Sequence, residues 1–139
     1  MITGSCQCGG IKFEIDKVTA LTNCHCSVCR KTTGASFGTF AHVRADRFRL
    51  LSGEDLINPG YEWMPGHARS FCSRCGSPAP KYLESTKLVS VPAGLLEGDP
   101  GVKPIMNVFV SSKMPWVELD DDISNHEKWA PGFVPKDFV

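Results

Sequence analysis

Apolar and polar residues alternate along several short stretches of this chain, and few stretches have the spacing of a helix. Residues 10–15 read Gly-Ile-Lys-Phe-Glu-Ile, an alternation that predicts a half-buried strand. Further strands are predicted where β-branched and aromatic residues gather between turn residues, at residues 35–43, 48–51, 61–63, 68–71, 87–91 and 105–110. Pro65 and Gly66 form a dipeptide that predicts a turn between the strands at 61–63 and 68–71.

Helical signals are weak in comparison. Short helical turns are predicted at residues 27–33 and 120–128, the second because three aspartates at 120–122 suit a helix N-terminus. The 13 glycines and 10 prolines are spread along the chain and favour many turns over long helices. The predicted fold class is therefore a mainly β, antiparallel domain with short helical turns and with cysteines in its turns.

Length and charge narrow the class of protein further. With 139 residues, the chain is expected to form a single domain over residues 1–139. The formal net charge is zero, whereas a dedicated nucleic-acid binder is usually basic, so no nucleic-acid partner is expected. No apolar run approaches the roughly 20 residues of a membrane span, so no membrane partner is expected either.

Seven cysteines in three tight groups are the main chemical signal of the sequence. The spacings are C-x-C, C-x-C-x-x-C and C-x-x-C, in the groups Cys6 and Cys8, then Cys24, Cys26 and Cys29, then Cys72 and Cys75. Thiolates so close in sequence suit tetrahedral Zn²⁺. Seven ligands divide into a closed site of four and an open site of three, and an open position is typical of catalytic zinc.

Other uses of the cysteines fit less well. A disulfide framework usually has an even number of cysteines and an oxidising compartment, but the start of the chain has no secretory pattern. With its many free thiols, the chain is expected to be cytoplasmic. A thioredoxin-like pair at Cys72 and Cys75 lacks the βαβ context of that motif. A purely structural role for every cysteine, as in zinc ribbons, stays open.

Four segments together resemble the glutathione-dependent formaldehyde-activating enzyme family, which is also named after centromere protein V. The family motifs correspond to Gly4–Ile11 with Cys6 and Cys8, to Cys24–Lys31 followed by Gly34, to Phe71–Ser77 with Cys72 and Cys75, and to Val108–Trp116. The resemblance covers nearly the whole chain. It implies a β-tent fold with two zinc ions per chain.

The resemblance also implies how the ligands divide and what they do. It assigns a closed structural zinc to Cys6, Cys8, Cys72 and Cys75, and a catalytic zinc to Cys24, Cys26 and Cys29. The open position of the second zinc would accept the thiol of glutathione. The implied enzyme is a carbon–sulfur lyase that acts on the adduct of glutathione, or another small-molecule thiol, with formaldehyde or a small aldehyde.

Candidates for substrate contacts come from charged and aromatic residues near the cysteines. Carboxylates of a thiol tripeptide need cationic donors, for which the candidates are Arg30, Lys31, Arg69 and Arg74. His25 lies between two ligands, so its side chain is expected to point away from the metal and to be packed or exposed, with a role as a proton shuttle or as a hydrogen-bond donor to the ligands as the alternative. His67 could approach the site across a hairpin, and no role is visible for His42 or His126. Trp63, Trp116 and Trp129 are expected in the core or in groove walls.

Two function classes remain at this point. The first is a zinc-dependent enzyme of thiol and aldehyde chemistry, and the second is a non-catalytic zinc module that binds a protein or a nucleic acid. Neutral charge and the three-cysteine group favour the enzyme, whereas a basic tail would favour the module and is not visible. The sequence leaves the substrate, the substrate-binding residues and the oligomeric state undetermined.

Overall fold

A computed structural model describes residues 1–84 and 86–130 of the chain. Its strands are β1 (Ile2–Ser5), β2 (Lys12–Ile15), β3 (Ala20–Cys24), β4 (Gly38–Arg44), β5 (Phe48–Ser52), β6 (Ile57–Asn58), β7 (Glu62–Met64), β8 (His67–Ala68), β9 (Phe71–Cys72), β10 (Lys81–Leu83), β11 (Leu88–Pro92), β12 (Leu96–Glu97), β13 (Pro104–Val108) and β14 (Ser124–Asn125). The helix α1 spans Ser27–Thr33. Single 3₁₀ turns lie at Ala45–Arg47, Glu54–Leu56, Ala93–Leu95 and Val110–Ser112.

The strands form two large sheets and two small hairpin-like pairs. The first sheet has the order β12-β1-β2-β5, and the second has the order β10-β11-β4-β3-β13-β14. All pairs are antiparallel except two, in which β13 runs parallel to β3 and to β14. The small pairs are β6 with β9 and β7 with β8. The predicted mainly β, antiparallel fold class is confirmed.

The main core lies between the two large sheets. Phe13 and Ile15 of β2 are fully buried against side chains from the second sheet, because every second residue of the strand points inward. The second sheet contributes Leu21, Ala41, Val43, Val89 and Val91. Phe48 of β5 stacks on Phe13 with ring centroids 5.4 Å apart and covers the edge of this core.

Two smaller clusters of buried side chains contain the cysteines. Cys6 and Cys72 pack with Ile11 and Ala79 in one cluster. Cys24 and Cys29 pack with Phe40 and Val108 in the other. The cysteine groups therefore lie where loops meet the sheets, rather than in the core between the sheets.

Most predicted elements correspond to observed ones. The predicted strands at 10–15, 35–43, 48–51, 87–91 and 105–110 coincide with β2, β4, β5, β11 and β13. The predicted pair around Pro65-Gly66 is the β7–β8 hairpin, and the predicted turn at 27–33 is α1. The pattern did not reveal β3, because Leu21 and Thr22 are both buried in this inner strand and the alternation is lost.

The prediction of a helix at residues 120–128 is wrong. The side chain of Asp120 accepts a hydrogen bond from the backbone N–H of Asp122 at 2.9 Å, a local bond that competes with helix formation. Ser124 and Asn125 then form β14, in register with Met106 and Asn107 of β13. The aspartates therefore start a turn that leads into a strand.

Two further predictions concern a membrane span and the number of domains. Within residues 1–84 and 86–130, no helix has the length and apolar character that a bilayer span requires. The expectation of a single domain over residues 1–139 stays a prediction, because residues 131–139 lie outside the described part of the chain.

Candidate metal centres and the cavity beside them

The four cysteines of the first candidate centre lie in two tight turns from distant parts of the sequence. Cys6 and Cys8 follow β1, in a turn closed by a hydrogen bond from the Gly9 N–H to the Cys6 carbonyl at 3.0 Å. Cys72 ends β9, and the Gly76 N–H donates to its carbonyl at 2.8 Å. Gly9 and Gly76 both have positive φ, a conformation that glycine adopts without steric cost. Each turn thus directs its sulfurs to one side.

Further contacts lock these two turns together. The backbone N–H of Gln7 donates to Ser77 Oγ at 3.0 Å, and Arg74 Nε donates to Cys8 Sγ at 3.2 Å. The Arg74 contact lowers the pKa of Cys8. The Ser77 hydroxyl, 3.3 Å from Cys75 Sγ, is the main reason that the pKa of Cys75 is lowered to about 5. Cys8 and Cys75 are therefore favoured in the thiolate form that metal binding needs, whereas burial raises the pKa of Cys72.

The sulfur separations fit one tetrahedral ion. Cys6 Sγ is 3.5 Å from Cys8 Sγ, and Cys8 Sγ is 3.9 Å from Cys72 Sγ. With Cys75 Sγ included, the four sulfurs of the group lie within 4.8 Å of one another. Zinc–sulfur bonds of about 2.3 Å in a tetrahedron place the sulfurs about 3.8 Å apart. This group can therefore hold one metal ion, and zinc suits its four sulfur donors.

The other three cysteines lie at a single strand-to-helix junction. Cys24 ends β3, and Cys26 is the N-cap of α1, where its sulfur accepts a hydrogen bond from the Cys29 N–H at 3.3 Å. Cys29 is fully buried in the first turn of α1. The helix ends at Gly34, which has φ of 67° and donates its N–H to the Arg30 carbonyl. The sulfurs lie within 4.8 Å of one another, so this group can hold a metal ion too.

A buried polar network holds this junction against the second sheet. The backbone N–H of His25 donates to the Val108 carbonyl at 3.0 Å, and the ring atom His25 Nε2 lies 3.2 Å from Asn107 Oδ1. Asn107 also accepts a hydrogen bond from Asn23 and donates one to Asn125. Burial lowers the pKa of His25, so its ring is a neutral packed group. Of the two positions expected for His25, packed or exposed, the structure has the packed one.

Arg69 brings positive charge to the three-cysteine group. Its Nη2 donates to Cys29 Sγ at 3.2 Å, and its guanidinium lies 5.0 Å from the centroid of the Phe40 ring. Hydrogen bonds from the Cys24 and Cys29 side chains lower the pKa of Cys26. The same sharing of protons, together with burial, raises the pKa of Cys24. The arrangement places a guanidinium beside the three sulfurs.

A cavity of about 180 Å³ borders this three-cysteine group, with Cys24 and Cys26 in its wall. The rest of the wall is Val28, Trp63, Met64, His67, Arg69, Phe109 and Trp129. A second cavity of about 280 Å³ is also lined by Arg69, together with Lys81. A small space of about 20 Å³ shares Arg69 and Phe40 with the second cavity, and Cys24 and Trp129 with the first. The two cavities thus meet around Arg69.

Of the other residues predicted to contact the substrate, some lie at the cysteine groups or the cavity and others lie outside them. Arg74 contacts the four-cysteine group, whereas Arg30 and Lys31 lie in the last turn of α1 and have no hydrogen bond to a cysteine sulfur within the described residues. His67, with Trp63 and Trp129, lines the 180 Å³ cavity. Trp116 is 65% exposed and donates to Ser36 Oγ at 2.8 Å, so it is neither a core nor a groove residue.

The sequence reasoning missed several residues of the site. His42 is buried in β4 and its Nε2 lies 2.8 Å from Thr22 Oγ1, close to the small space beside Cys24. Lys81 had no sequence signal, because it lies outside the Phe71–Ser77 motif, a few residues beyond Ser77. Phe109 lies in the Val108–Trp116 segment and could have been found through the family resemblance, but its cavity position required the structure.

Fold and site together define a class: small, mainly β proteins with two cysteine groups that can each hold a metal ion. The sequence profile of the glutathione-dependent formaldehyde-activating enzyme family matches residues 1–112. The chain belongs to this family.

Two individual proteins are also similar to the chain. A Halomonas elongata protein, provisionally named a glutathione-dependent formaldehyde-activating enzyme, is 29% identical over 133 residues, covering 86% of this chain and 82% of the relative. The crystal structure of a Rhodobacter sphaeroides protein superimposes with a TM-score of 0.57 at 24% identity, covering 70% of this chain and 89% of the other. This second likeness shows the fold.

Proposed function

We propose that this chain is a zinc-dependent carbon–sulfur lyase-type enzyme that acts on the adduct of glutathione, or another small thiol, with formaldehyde or a small aldehyde. Cys6, Cys8, Cys72 and Cys75 hold a structural zinc in this proposal. Cys24, Cys26 and Cys29 hold the catalytic zinc. Family membership and the name of the Halomonas elongata relative support the reaction class.

The observation that carries the proposal is the cavity next to the three-cysteine group. Cys24 and Cys26 belong to its wall, so a ligand in the cavity reaches the sulfur group. Cys24, Cys26 and Cys29 would hold a zinc ion with one ligand position left for the substrate, and that ion would favour the thiolate form of the substrate thiol at neutral pH. A group of three cysteines beside a cavity is typical of a catalytic site rather than a purely structural one.

The reaction itself is an addition and its reverse. The sulfur of the thiol forms a bond to the carbonyl carbon, the π electron pair moves to the oxygen, and that oxygen takes a proton. The reverse direction breaks the same carbon–sulfur bond. Arg69 contributes a fixed positive charge beside the sulfurs, where negative charge is concentrated before the bond forms.

The body of glutathione requires its own binding surface. Its carboxylates fit the 280 Å³ cavity, whose wall contains the charged residues Arg69 and Lys81 and the hydroxyl-bearing residues Thr32, Thr33, Ser70 and Ser90. Lys81 Nζ is anchored by a hydrogen bond to the Ala68 carbonyl at 2.8 Å, which fixes its position. Because both cavities border Arg69, the sulfur can reach the cysteine group while the carboxylates stay with Lys81.

The test is the rate at which formaldehyde, glutathione and S-(hydroxymethyl)glutathione exchange, followed by exchange NMR. The two-zinc protein should speed the exchange at least tenfold over the uncatalysed rate, and Cys26→Ser should abolish the acceleration. Ser27→Ala is the matched control, because Ser27 is an exposed neighbour on the same turn. It should retain the wild-type rate.

A protein with two bound metals that neither speeds the exchange nor binds glutathione in calorimetry would contradict the proposal. Such a result would favour the alternative function, a non-catalytic zinc-binding interaction module. A cytoplasmic location and the lack of nucleic-acid and membrane partners belong to the proposal as well.

A further inference from the structure

The wall of the 180 Å³ cavity is mostly aromatic and apolar. Trp63 and Met64 come from the β7 strand of the hairpin, Val28 from α1, and Phe109 and Trp129 from segments beyond β13. Arg69 is the permanently charged side chain in this wall, and no carboxylate lines it among the described residues. Apolar walls so close to the reacting sulfur favour a ligand group without charge.

The surrounding structure holds Phe109 of this wall in an unfavourable backbone conformation. Phe109 has φ of 55°, in the left-handed region that bulky residues rarely adopt. A hydrogen bond from its N–H to the Lys128 carbonyl at 2.9 Å holds it there, and its ring packs edge-on against Trp129 with centroids 4.9 Å apart. Unfavourable backbone conformations persist where the surrounding structure enforces them, often at functional sites.

The charge of Arg69 does not make this cavity an anion site. Its guanidinium faces Cys29 Sγ and the Phe40 ring, so its charge is directed at the sulfur group. A carboxylate placed in the cavity would meet mainly the aromatic and apolar side chains of the wall, which cannot replace its lost hydration.

The size of the cavity limits the ligand to a small group. An apolar cavity of about 150 Å³ accepts a benzene ring, whereas sites for whole drug-sized ligands measure roughly 300–1,000 Å³. The present cavity of about 180 Å³ therefore fits one ring-sized group and excludes a tripeptide. Formaldehyde carries only hydrogens on its carbonyl carbon, so its adduct would leave this space unfilled.

We propose that the cavity binds the substituent of an aldehyde larger than formaldehyde, namely an apolar, ring-sized group, and that Trp63 and Phe109 determine this specificity. This inference rests on the proposed function. The thiol sulfur bonds to the carbonyl carbon, the π electron pair moves to the oxygen, which takes a proton, and the product is a hemithioacetal. Its sulfur lies at the three-cysteine group and its ring between the aromatic side chains.

The kinetic test compares benzaldehyde with formaldehyde, each with glutathione, by exchange NMR. Trp63→Ala should lower the ratio of kcat/KM for benzaldehyde to that for formaldehyde on the order of 10- to 100-fold, the effect of removing apolar contacts with a ring. Trp116→Ala is the matched control, because Trp116 is an exposed indole outside the cavity. It should leave the ratio unchanged. An unchanged ratio in Trp63→Ala would overturn the inference.

A binding test needs no catalysis and uses the native cavity. In Trp116→Phe, the remaining indoles are Trp63 and Trp129, both in the wall, so their fluorescence reports on the cavity. Benzyl alcohol should change this fluorescence saturably, with a Kd at least tenfold lower than that of methanol. No saturable change would overturn the inference even if Trp63→Ala failed to fold.

The two proposals fail in different ways. If formaldehyde exchange is accelerated but benzyl alcohol does not bind and benzaldehyde does not react, the proposed function stands and the ring-sized substituent is wrong. If benzyl alcohol binds but no aldehyde reacts with any thiol, the proposed function is wrong, and the assignment of an aldehyde substituent fails with it.

Discussion

At the scale of single residues, the site depends on polar side chains that are buried in defined protonation states. His42 is one of them: it lies in β4 with its Nε2 2.8 Å from Thr22 Oγ1. Burial lowers the pKa of His42 to about 4, because the charged imidazolium is poorly solvated there. Since the unfolded chain has a histidine pKa near 6.5, the unfolded state takes up this proton first as the pH falls.

We therefore expect His42 to make the protein acid-sensitive. The stabilisation from neutral His42 is fully present above about pH 6.5 and is lost as the pH falls through the folded pKa of about 4. Between pH 7 and 5 this group alone should lower the free energy of unfolding by about 2 kcal/mol. Urea unfolding at both values should show this difference for the wild type and not for His42→Gln, each with two metals bound.

His126→Gln is the matched control for that measurement, because His126 lies in the loop after β14 and outside the core. It should keep the wild-type pH dependence. If His42→Gln keeps it too, then His42 is not the group that titrates.

The residues of the site differ in how far the sequence could reveal them. The cysteine groups were predictable, because ligands one or two residues apart come together in any turn. Arg69 was a candidate by proximity to Cys72, yet its hydrogen bond goes to Cys29, in the other group. Lys81 and Phe109 reach the cavities through strand pairing and a left-handed backbone, which no local pattern encodes.

At the scale of elements, the two cysteine groups connect the chain in different ways. The four-cysteine group joins the turn after β1 to the turn after β9, more than sixty residues later in the sequence. The three-cysteine group lies within one strand-to-helix junction, which is also held by the His25 and Asn107 bonds. A metal ion at the first group closes a long loop, whereas one at the second group adds little to a junction already in place.

Loss of a ligand should therefore affect stability at the first group most. Cys72→Ser should lower the free energy of unfolding by about 3 kcal/mol or more, on the order of 10 °C in Tm, or give insoluble protein. Cys26→Ser should change Tm far less. Thermal unfolding followed by circular dichroism, with the zinc content of each variant, measures both.

Ser73→Ala provides the control beside Cys72, since Ser73 is exposed and its backbone N–H, not its side chain, bonds to Leu56. A Cys72→Ser protein that melts like the wild type and keeps its full zinc content would contradict the structural assignment.

The elements themselves were predictable where the local pattern and the final pairing agree. Strand β2 alternates because one of its faces is buried, and the β7–β8 hairpin turns at Pro65-Gly66. Strand β3 was missed because it is an inner strand, paired with β4 on one side and in parallel with β13 on the other. The helix at 120–128 was predicted wrongly because Asp120 starts a turn, after which Ser124–Asn125 also pair in parallel with β13. Such parallel pairs join residues far apart in sequence, and the local composition carries little information about them.

At the scale of the whole molecule, the proposed function divides the two cysteine groups into a stabilising centre and a reactive one. The three-cysteine group borders a cavity and is expected to exchange its metal readily, because one ligand position is open. The four-cysteine group is bound into two turns that Ser77 and Arg74 lock together. A chelator should therefore remove the two metals in separate steps.

Stepwise release is the prediction that tests this division. With a zinc-binding dye as the chelator, one equivalent should leave first while the far-ultraviolet circular dichroism stays unchanged. The second equivalent should leave together with the loss of β structure, since its site is part of the folding free energy. The Cys26→Ser variant should lack the zinc equivalent that leaves first and keep the one that leaves second. This result would assign the first equivalent to the three-cysteine group. Release of both equivalents in one step with the collapse of the fold would show that the two centres do not divide structure and reactivity between them.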